Sequence, residues 1–285
     1  HARLSVTNAA LDGDTVLMVN SFAALVSGTT LFTVTLTEAL VNNVVPDTNA
    51  ANELTISTVS PSSAALVTLS LAWGRTMSVS IPAGSFAGDA VITLRVPYFM
   101  PVPTSMHNPA LQATGIGMEI TLDQAVQPVK AATLEVTYTD AEMAGVDRSK
   151  LVLARYDEGA KGWIPLESVS YPKQNKVTGK TTHFSLFQVM VLSAGVNLNG
   201  AHIYPNPFYP NKGHTQVSMD GLPEGTAVKV YTLNGELVWE GKASAAGLAV
   251  WYGRNKAGRK VASGLYLVHL ESGGQKKIKK VSVVK

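Results

Sequence analysis

The sequence predicts an all-β protein built from tandem Ig-like or related β-sandwich domains. Short segments in which apolar and polar residues alternate recur along the whole chain, and Gly, Asn, Asp and Pro clusters separate them. The composition agrees, because only 15% of the residues are charged and 7% are aromatic, whereas β-branched residues, which suit a pleated surface, are frequent. A chain of 285 residues is long enough for two or three sandwiches that each bury a core.

The first 75 residues are predicted to form a small sandwich, either separate from the next domain or continuous with it. Five alternating segments support this prediction; they are residues 4–7, 15–19, 31–36, 54–57 and 66–71. The turn Asp12-Gly13-Asp14 places two carboxylates together, which could bind calcium. It lacks the remaining spacing of a calcium loop, so a plain turn is the preferred interpretation.

A second sandwich is predicted over residues 76–195. It begins near Ile81-Pro82-Ala83-Gly84-Ser85-Phe86, and a hairpin with a turn at Asp157-Glu158-Gly159 leads into Trp163. The proline-rich stretch 97–109 is predicted to be a long surface loop.

The "IPAGSF" opening, the "YDE…GWIPL" hairpin and the "HFS" ending of this domain resemble the ZU-type β-sandwich of ankyrins, netrin receptors and bacterial surface proteins. In some relatives of this type the last tripeptide cleaves itself. That resemblance implies attack of the Ser185 hydroxyl on the Phe184 carbonyl, with His183 assisting removal of the proton. Such cleavage usually needs a strained peptide, so a plain structural strand is the preferred interpretation and self-cleavage the alternative.

Residues 196–202 are short and polar and are predicted to be a linker to a terminal sandwich at 203–285. Six alternating segments follow, and Ile203 adds a possible seventh strand. Pro205 and Pro207 remove backbone donors, which places the first strand at a sheet edge. Asn234-Gly235 predicts a tight hairpin with a type I′ turn.

The terminal sandwich resembles the C-terminal sorting domain of type IX secretion substrates and is similar to the Ig-like domain of the flagellar hook-capping protein. The matching patterns are "YPNPF", "VKVYTLNG", "WYGRNKAG", "ASGLYLV" and a final "KKVSVVK". The resemblance implies export to the outside or the outer-membrane surface of a Gram-negative bacterium, with the secretion machinery as partner. It also implies a sorting motif of Tyr204, Pro205, Asn206, Pro207, Gly235, Gly264, Tyr266, Lys279, Lys280 and Lys285.

Charge is distributed unevenly along the chain. Residues 1–150 have 6 Lys and Arg against 12 Asp and Glu, whereas residues 201–285 have 12 against 5. The basic end could bind an acidic surface polysaccharide or lipid headgroups, or its lysines could simply protect an edge strand from pairing.

Several classes of function are not expected. The absence of cysteine excludes disulfides and thiolate metal sites. No apolar run reaches the ~18 residues of a spanning helix, and the basic end lacks the interleaved aromatic residues of a nucleic-acid-binding surface. None of the common catalytic motifs occurs and the six histidines are scattered, so we expect no enzyme activity, no cofactor and no metal. Trp251 or Tyr252 could form a carbohydrate platform, although a core position is the preferred interpretation.

The sequence therefore predicts a secreted cell-surface protein with a structural or adhesive role, able to assemble with itself through an exposed strand into a fibre or layer. Two alternatives stay open. The chain could be the accessory C-terminal part of a larger secreted hydrolase, or it could be the self-cleaving module described above.

Overall fold

A computed structural model describes residues 54–71, 74–101, 111–159 and 161–285. The predicted segments 4–7, 15–19 and 31–36, the Asp12-Gly13-Asp14 turn and most of the proline-rich loop lie outside these ranges. In the described ranges, eighteen strands form four antiparallel sheets. The prediction of an all-β, sandwich-like fold is confirmed.

The first eleven strands form one sandwich of two sheets. They are β1 (Leu54–Val59), β2 (Ala65–Ser70), β3 (Thr76–Ile81), β4 (Ala90–Arg95), β5 (Leu111–Leu122), β6 (Ala132–Thr137), β7 (Leu151–Asp157), β8 (Gly162–Pro165), β9 (Ser168–Tyr171), β10 (Lys176–Thr181) and β11 (Leu186–Leu192). One sheet has the order β1-β4-β5-β11-β7-β8 and the other β2-β3-β6-β10-β9.

Alternation of side chains builds the core of this first sandwich. In β3, Met77, Val79 and Ile81 are fully buried while the residues between them are not, because successive side chains of a strand point to opposite faces. The hairpin predicted at Asp157 is confirmed, since β7 pairs with β8 and Asp157 lies opposite Gly162.

The predicted domain boundary at residue 75 lies inside the first sandwich, between its strands β2 and β3. Strand β1 pairs with β4 and strand β2 pairs with β3, so residues 54–70 complete the two sheets of the first sandwich. Each of these strands lies at the edge of its sheet.

The last seven strands form the terminal sandwich. They are β12 (His202–Tyr204), β13 (Val217–Asp220), β14 (Ala227–Thr232), β15 (Leu237–Lys242), β16 (Ala249–Trp251), β17 (Gly264–Ser272) and β18 (Gln275–Val283). The sheets have the orders β12-β13-β16 and β15-β14-β17-β18. As predicted, β12 lies at a sheet edge.

The hairpin predicted at Asn234-Gly235 is present between β14 and β15, but the predicted type I′ turn is wrong. A type I′ turn requires positive φ at both central residues. Gly235 has a φ of 84°, whereas Asn234 is not among the positive-φ residues of the described chain. Gly235 instead closes a longer loop, in which its N–H donates to the Thr232 carbonyl at 3.0 Å.

The two sandwiches pack directly on each other through a buried apolar group, which we call the interface cluster. Its members are Leu111, Val152, Ala154, Trp163, Met190 and Leu192 from the first sandwich and Ala246, Leu248 and Val250 from the terminal one. At its rim the buried side chain of Gln216 donates to the Pro165 carbonyl at 2.9 Å. The two sandwiches thus share one core region.

The predicted linker, residues 196–202, is built into the terminal sandwich. Leu198 is buried in the terminal core, and β12 already begins at His202. Just before this segment, the Gly195 N–H donates to the Leu222 carbonyl at 2.9 Å, and a Cβ on Gly195 would lie 2.0 Å from the Gly221 oxygen. The junction between the sandwiches is therefore folded and tightly packed.

The helices of the described ranges are 3-10 turns of three residues, and none is long and apolar enough to cross a membrane.

Candidate functional site

The predicted sorting motif includes a contact between the start and the end of the terminal sandwich. The side-chain amide of Asn206 donates to the carbonyl oxygen of Lys280 at 3.0 Å, and the Ser282 N–H donates to Asn206 Oδ1 at 3.0 Å. We call residues 204–208 together with residues 280–284 the clasp. In it, one asparagine side chain occupies the hydrogen-bonding edge that a neighbouring strand would occupy.

Phe208 continues the clasp with backbone bonds and an apolar anchor. Its N–H donates to the Ser282 carbonyl at 2.7 Å, and the Val284 N–H donates to its carbonyl at 2.9 Å. The ring is 2% exposed and lies beneath Gly253, where a Cβ would come within 2.6 Å of Phe208 Cε1. Glycine at 253 is thus required both by this contact and by its φ of +64°.

His214 supports the clasp from the side. Its ring stacks on Phe208 with the centroids 6.2 Å apart, and its Nδ1 accepts the Tyr209 N–H at 2.9 Å. Accepting that bond requires an unprotonated Nδ1. Burial lowers the pKa of His214, with the nearby Arg155 acting in the same direction and Asp157 opposing, so the neutral ring is favoured.

Tyr204 is held by a buried carboxylate. Asp220 is 0% exposed, accepts the hydroxyl of Tyr204 and lies 3.2 Å from Nδ1 of His202. The peptide bonds that precede Pro205 and Pro207 are cis. The hydrogen bonds of Tyr204, Asn206 and Phe208 hold the whole stretch from Tyr204 to Phe208 against the sandwich.

The basic terminal strand has lysines in two different environments. Lys277 donates to the Leu198 and Asn199 carbonyls at 3.0 and 3.3 Å, and partial burial, followed by the charge of Lys277, lowers the pKa of Lys279. Lys280 is exposed, and the backbone N–H of Lys285 donates to the Ser263 hydroxyl at 3.1 Å.

The structure brings some predicted sorting residues together and separates others. Tyr266 is a core residue: it is buried, its ring centroid lies 5.5 Å from that of Trp251 with the planes tilted by 59°, and its hydroxyl donates to the Ala262 carbonyl at 2.9 Å. Gly264 is the first residue of β17, and Gly235 lies in the β14–β15 loop. Only Tyr204, Pro205, Asn206, Pro207, Lys280 and Lys285 belong to the clasp or its immediate end.

The tripeptide His183-Phe184-Ser185 lies in the loop between β10 and β11, so the preferred interpretation of it as a plain strand is wrong. The Phe184 N–H donates to Gln127 Oε1 at 2.6 Å, and Gln127 Nε2 donates to the Phe184 carbonyl at 3.2 Å. Burial, then Arg155, lowers the pKa of His183. Across the described ranges no hydrogen bond joins the His183 ring to the Ser185 hydroxyl. Self-cleavage stays a hypothesis.

An open depression of about 390 Å³ lies on the terminal sandwich, and its lining includes Trp239, Glu240, Tyr252, Arg254 and Lys256. Trp251, considered as a carbohydrate platform, is fully buried and donates from Nε1 to the Arg254 carbonyl at 2.8 Å, so this role is excluded for it. The half-buried Trp239 was not predicted. The sequence feature that points to the Trp239 ring is the glycine two residues later, because a Cβ on Gly241 would lie 2.5 Å from the indole.

A metal centre is not indicated in the part of the chain that the structure describes, where no three His, Asp or Glu side chains are grouped suitably.

Residues 202–284 match the family model of the secretion system C-terminal sorting domain. The matched range contains almost the whole terminal sandwich and both sides of the clasp, which confirms the sorting domain predicted from the sequence. The match indicates secretion by the type IX route and interaction with the secretion machinery. It implies export to the cell surface or extracellular space in Gram-negative Bacteroidetes.

The chain is similar to several solved structures, although the overall similarity is low. One of these structures is PorZ, an essential bacterial surface component of the type IX secretion system of Porphyromonas gingivalis, with 15% identity, 76% of this chain and 38% of that chain covered, and a TM-score of 0.30. Another is dimeric latent PorU of the same organism, with 15% identity, 82% and 30% covered, and a TM-score of 0.24.

A third similar structure is native alpha-2-macroglobulin from Escherichia coli, with 10% identity, 81% of this chain and 97% of that chain covered, and a TM-score of 0.19. The chain thus spans 38% and 30% of the length of the first two structures. No curated protein matches the chain. The ZU-type resemblance of residues 76–195 stays a prediction.

Proposed function

We propose that this chain is a non-catalytic structural or adhesive protein of the cell surface, which the terminal sandwich directs through the type IX route. The observation that supports the proposal best is the match of residues 202–284 to the sorting domain. The clasp gives this domain a folded end at which its first and last segments meet. The interface cluster makes the sorting domain and the first sandwich neighbours in one packed body.

Export is tested with the unaltered chain. It is expressed behind a periplasmic signal in a type IX-competent bacterium and in an otherwise identical strain that lacks the type IX system. We expect the chain in the medium or on the surface of the first strain and only in the periplasm of the second. Equal export by both strains, or by neither, would contradict the proposal.

Self-assembly is proposed to use the edge strands β1 and β2 of the first sandwich. Ile56 in β1 and Leu66 in β2 are 62% and 68% exposed, and an exposed apolar edge is a template for pairing with another chain. Light scattering should show a mass that rises with concentration. The double variant Ile56→Lys, Leu66→Lys should stay monomeric, and a wild-type protein that is monomeric at all concentrations would contradict assembly.

The two alternatives have separate tests. A catalytic domain encoded upstream of His1 would favour the accessory part of a hydrolase. Self-cleavage after Phe184 would give fragments of 184 and 101 residues on a denaturing gel, which Ser185→Ala should abolish. A full-length band that persists on incubation would exclude it.

Binding of an acidic surface polysaccharide is a second candidate function, and the depression at Trp239 supports it. An indole can pack against the C–H face of a sugar, and Arg254 can bind carboxylate or sulfate groups, whereas Lys256 is already paired with Glu240 at 2.7 Å. Affinity electrophoresis in alginate should retard the wild-type protein, and Trp239→Ala should restore its mobility. Equal mobility in alginate and in neutral dextran would contradict this function.

A further inference from the structure

The sheet of β15, β14, β17 and β18 has one buried and one open face. Directly paired residues of neighbouring strands share a face. Val230 and Val268, which are paired, are both fully buried and belong to the terminal core. The opposite side, which we call the outer face, presents Lys229, Tyr231, Leu237, Glu240, Lys242, Leu265, Leu267, His269, Glu271, Lys276, Ile278 and Lys280.

An apolar row crosses the outer face from β15 to β17, beginning with Leu237, which lies opposite Tyr231. Tyr231 lies opposite Leu267, which in turn lies opposite Lys280. Ile278 is 62% exposed and Leu265 is 37% exposed. Exposed apolar side chains bordered by polar groups are typical of a protein-binding surface.

The charged groups that flank the apolar row are mainly basic. The outer face has four lysines, at 229, 242, 276 and 280, against two carboxylates, and Lys229 lies on the inner strand β14 between Glu240 and His269. Glu271 lies 3.6 Å from Lys276, and Glu240 lies 2.7 Å from Lys256, which is outside this face. Among the residues that the structure describes, Lys276 is the one lysine of the four within 4 Å of a carboxylate. The outer face therefore has an excess of positive charge.

The packing of the terminal sandwich leaves this face accessible. The interface cluster reaches the terminal sandwich through Ala246, Leu248 and Val250, so the side that includes β16 faces the first sandwich. The clasp covers the edge of β18 from Lys280 onward. The outer face is covered by neither contact.

We propose that the export machinery binds the outer face through a protein surface with an apolar patch flanked by acidic groups. This inference rests on the proposed export function and adds the surface and the chemistry of the partner. Opposite charges beside the apolar row would orient the encounter, and burial of Ile278, Leu265 and Leu267 would stabilise the complex.

The test is the export of the full chain with the double variant Ile278→Asp, Lys280→Asp. The matched control is Val169→Asp, Lys173→Asp in the first sandwich. It changes the net charge equally, and Val169 is 51% exposed at an edge strand. We expect the exported amount of the outer-face variant to fall about tenfold or more, as loss of an important apolar contact does, and the control to be exported like the wild type.

Each outcome has a distinct meaning. If the wild-type chain does not leave the competent strain, the proposed export function fails. If the wild type and the outer-face variant leave equally well, the outer face is not the docking surface, although export by this domain stands. Melting temperatures of both purified variants within a few degrees of wild type would show that folding is retained.

A second variant keeps the test decisive if the first does not fold. Lys242→Glu, Lys280→Glu changes only exposed charges and should also reduce export. Wild-type chain that sediments with vesicles of anionic phospholipid, together with loss of sedimentation in this variant and unchanged export, would assign the face to a lipid surface and overturn the protein partner.

Discussion

At the scale of single residues, the clasp depends on side chains that satisfy backbone groups of a distant strand. Asn206 binds Lys280 and Ser282, which lie more than seventy positions further along the chain. His214 and Asp220 hold the two ends of the same stretch through Tyr209 and Tyr204. The sorting motif is therefore at least partly a folding device.

Asn206→Ala should lower the free energy of unfolding by about 1 kcal/mol, because two hydrogen bonds are lost at an edge where water can partly replace them. Denaturant unfolding measures the loss, and hydrogen exchange should accelerate at the Ser282 amide. Asn211→Ala, at an exposed position, should change neither. Unchanged protection of Ser282 in the Asn206 variant would show that the clasp does not hold this edge.

The His214 contact predicts that acid weakens the clasp. Burial lowers the pKa of His214 in the folded state, so below the ordinary value of about 6.5 the unfolded chain binds a proton that the folded chain resists. The stabilisation is complete above that value and declines as the pH falls through it.

The melting temperature should accordingly decrease between pH 7 and pH 5, and the decrease should be smaller in His214→Phe, which keeps the ring stack but cannot titrate. The half-buried His183 has a pKa shifted in the same direction and is present in both proteins, so the difference between them isolates His214. Equal decreases in the two proteins would contradict the role of this ring.

At the scale of elements, the interface cluster fixes the terminal sandwich on the first one. Leu248 is 5% exposed and contributes to the cluster from the terminal side. Removing such a contact should separate the two sandwiches locally and expose the junction at residues 193–201.

Leu248→Asp should lower the free energy of unfolding by roughly 3 kcal/mol, since it buries a charge without a partner or opens the interface. Proteinase K should then cleave the junction much faster, as seen from fragment masses. Leu233→Asp is the matched control, because Leu233 is 61% exposed on the terminal sandwich. A junction that stays as resistant as in wild type would show that the cluster is not what protects it.

At the scale of the whole molecule, residues 53–285 form one compact unit. Interfaces between independent domains are usually more polar than a core, whereas here nine buried apolar residues connect the sandwiches. The two sandwiches should therefore open together.

Native-state hydrogen exchange checks this expectation. The slowest amides of β11, in the first sandwich, and of β17, in the terminal one, should open with the same free energy and respond equally to denaturant. Leu248→Asp should uncouple them. Two different opening free energies in the wild-type chain would show that the sandwiches unfold independently.

The sequence by itself determined the β class, many of the strands and the nature of the terminal domain, although β9 and β10 were not predicted. A period of two shows which side chains share a face, and turn residues show where strands end, so the β7–β8 hairpin, the edge position of β12 and the sorting domain were predictable. Even within this local information, the type of the Asn234-Gly235 turn was missed, because the same two residues suit more than one loop geometry.

Only the tertiary structure decided which faces are covered. Local alternation does not show that Leu198 leaves the predicted linker for the terminal core, or that β1 and β2 complete the first sandwich. It also does not pair Asn206 with a strand at the other end of the domain. These outcomes depend on contacts between residues far apart in sequence, because burial and hydrogen bonding are completed only when all strands are assembled.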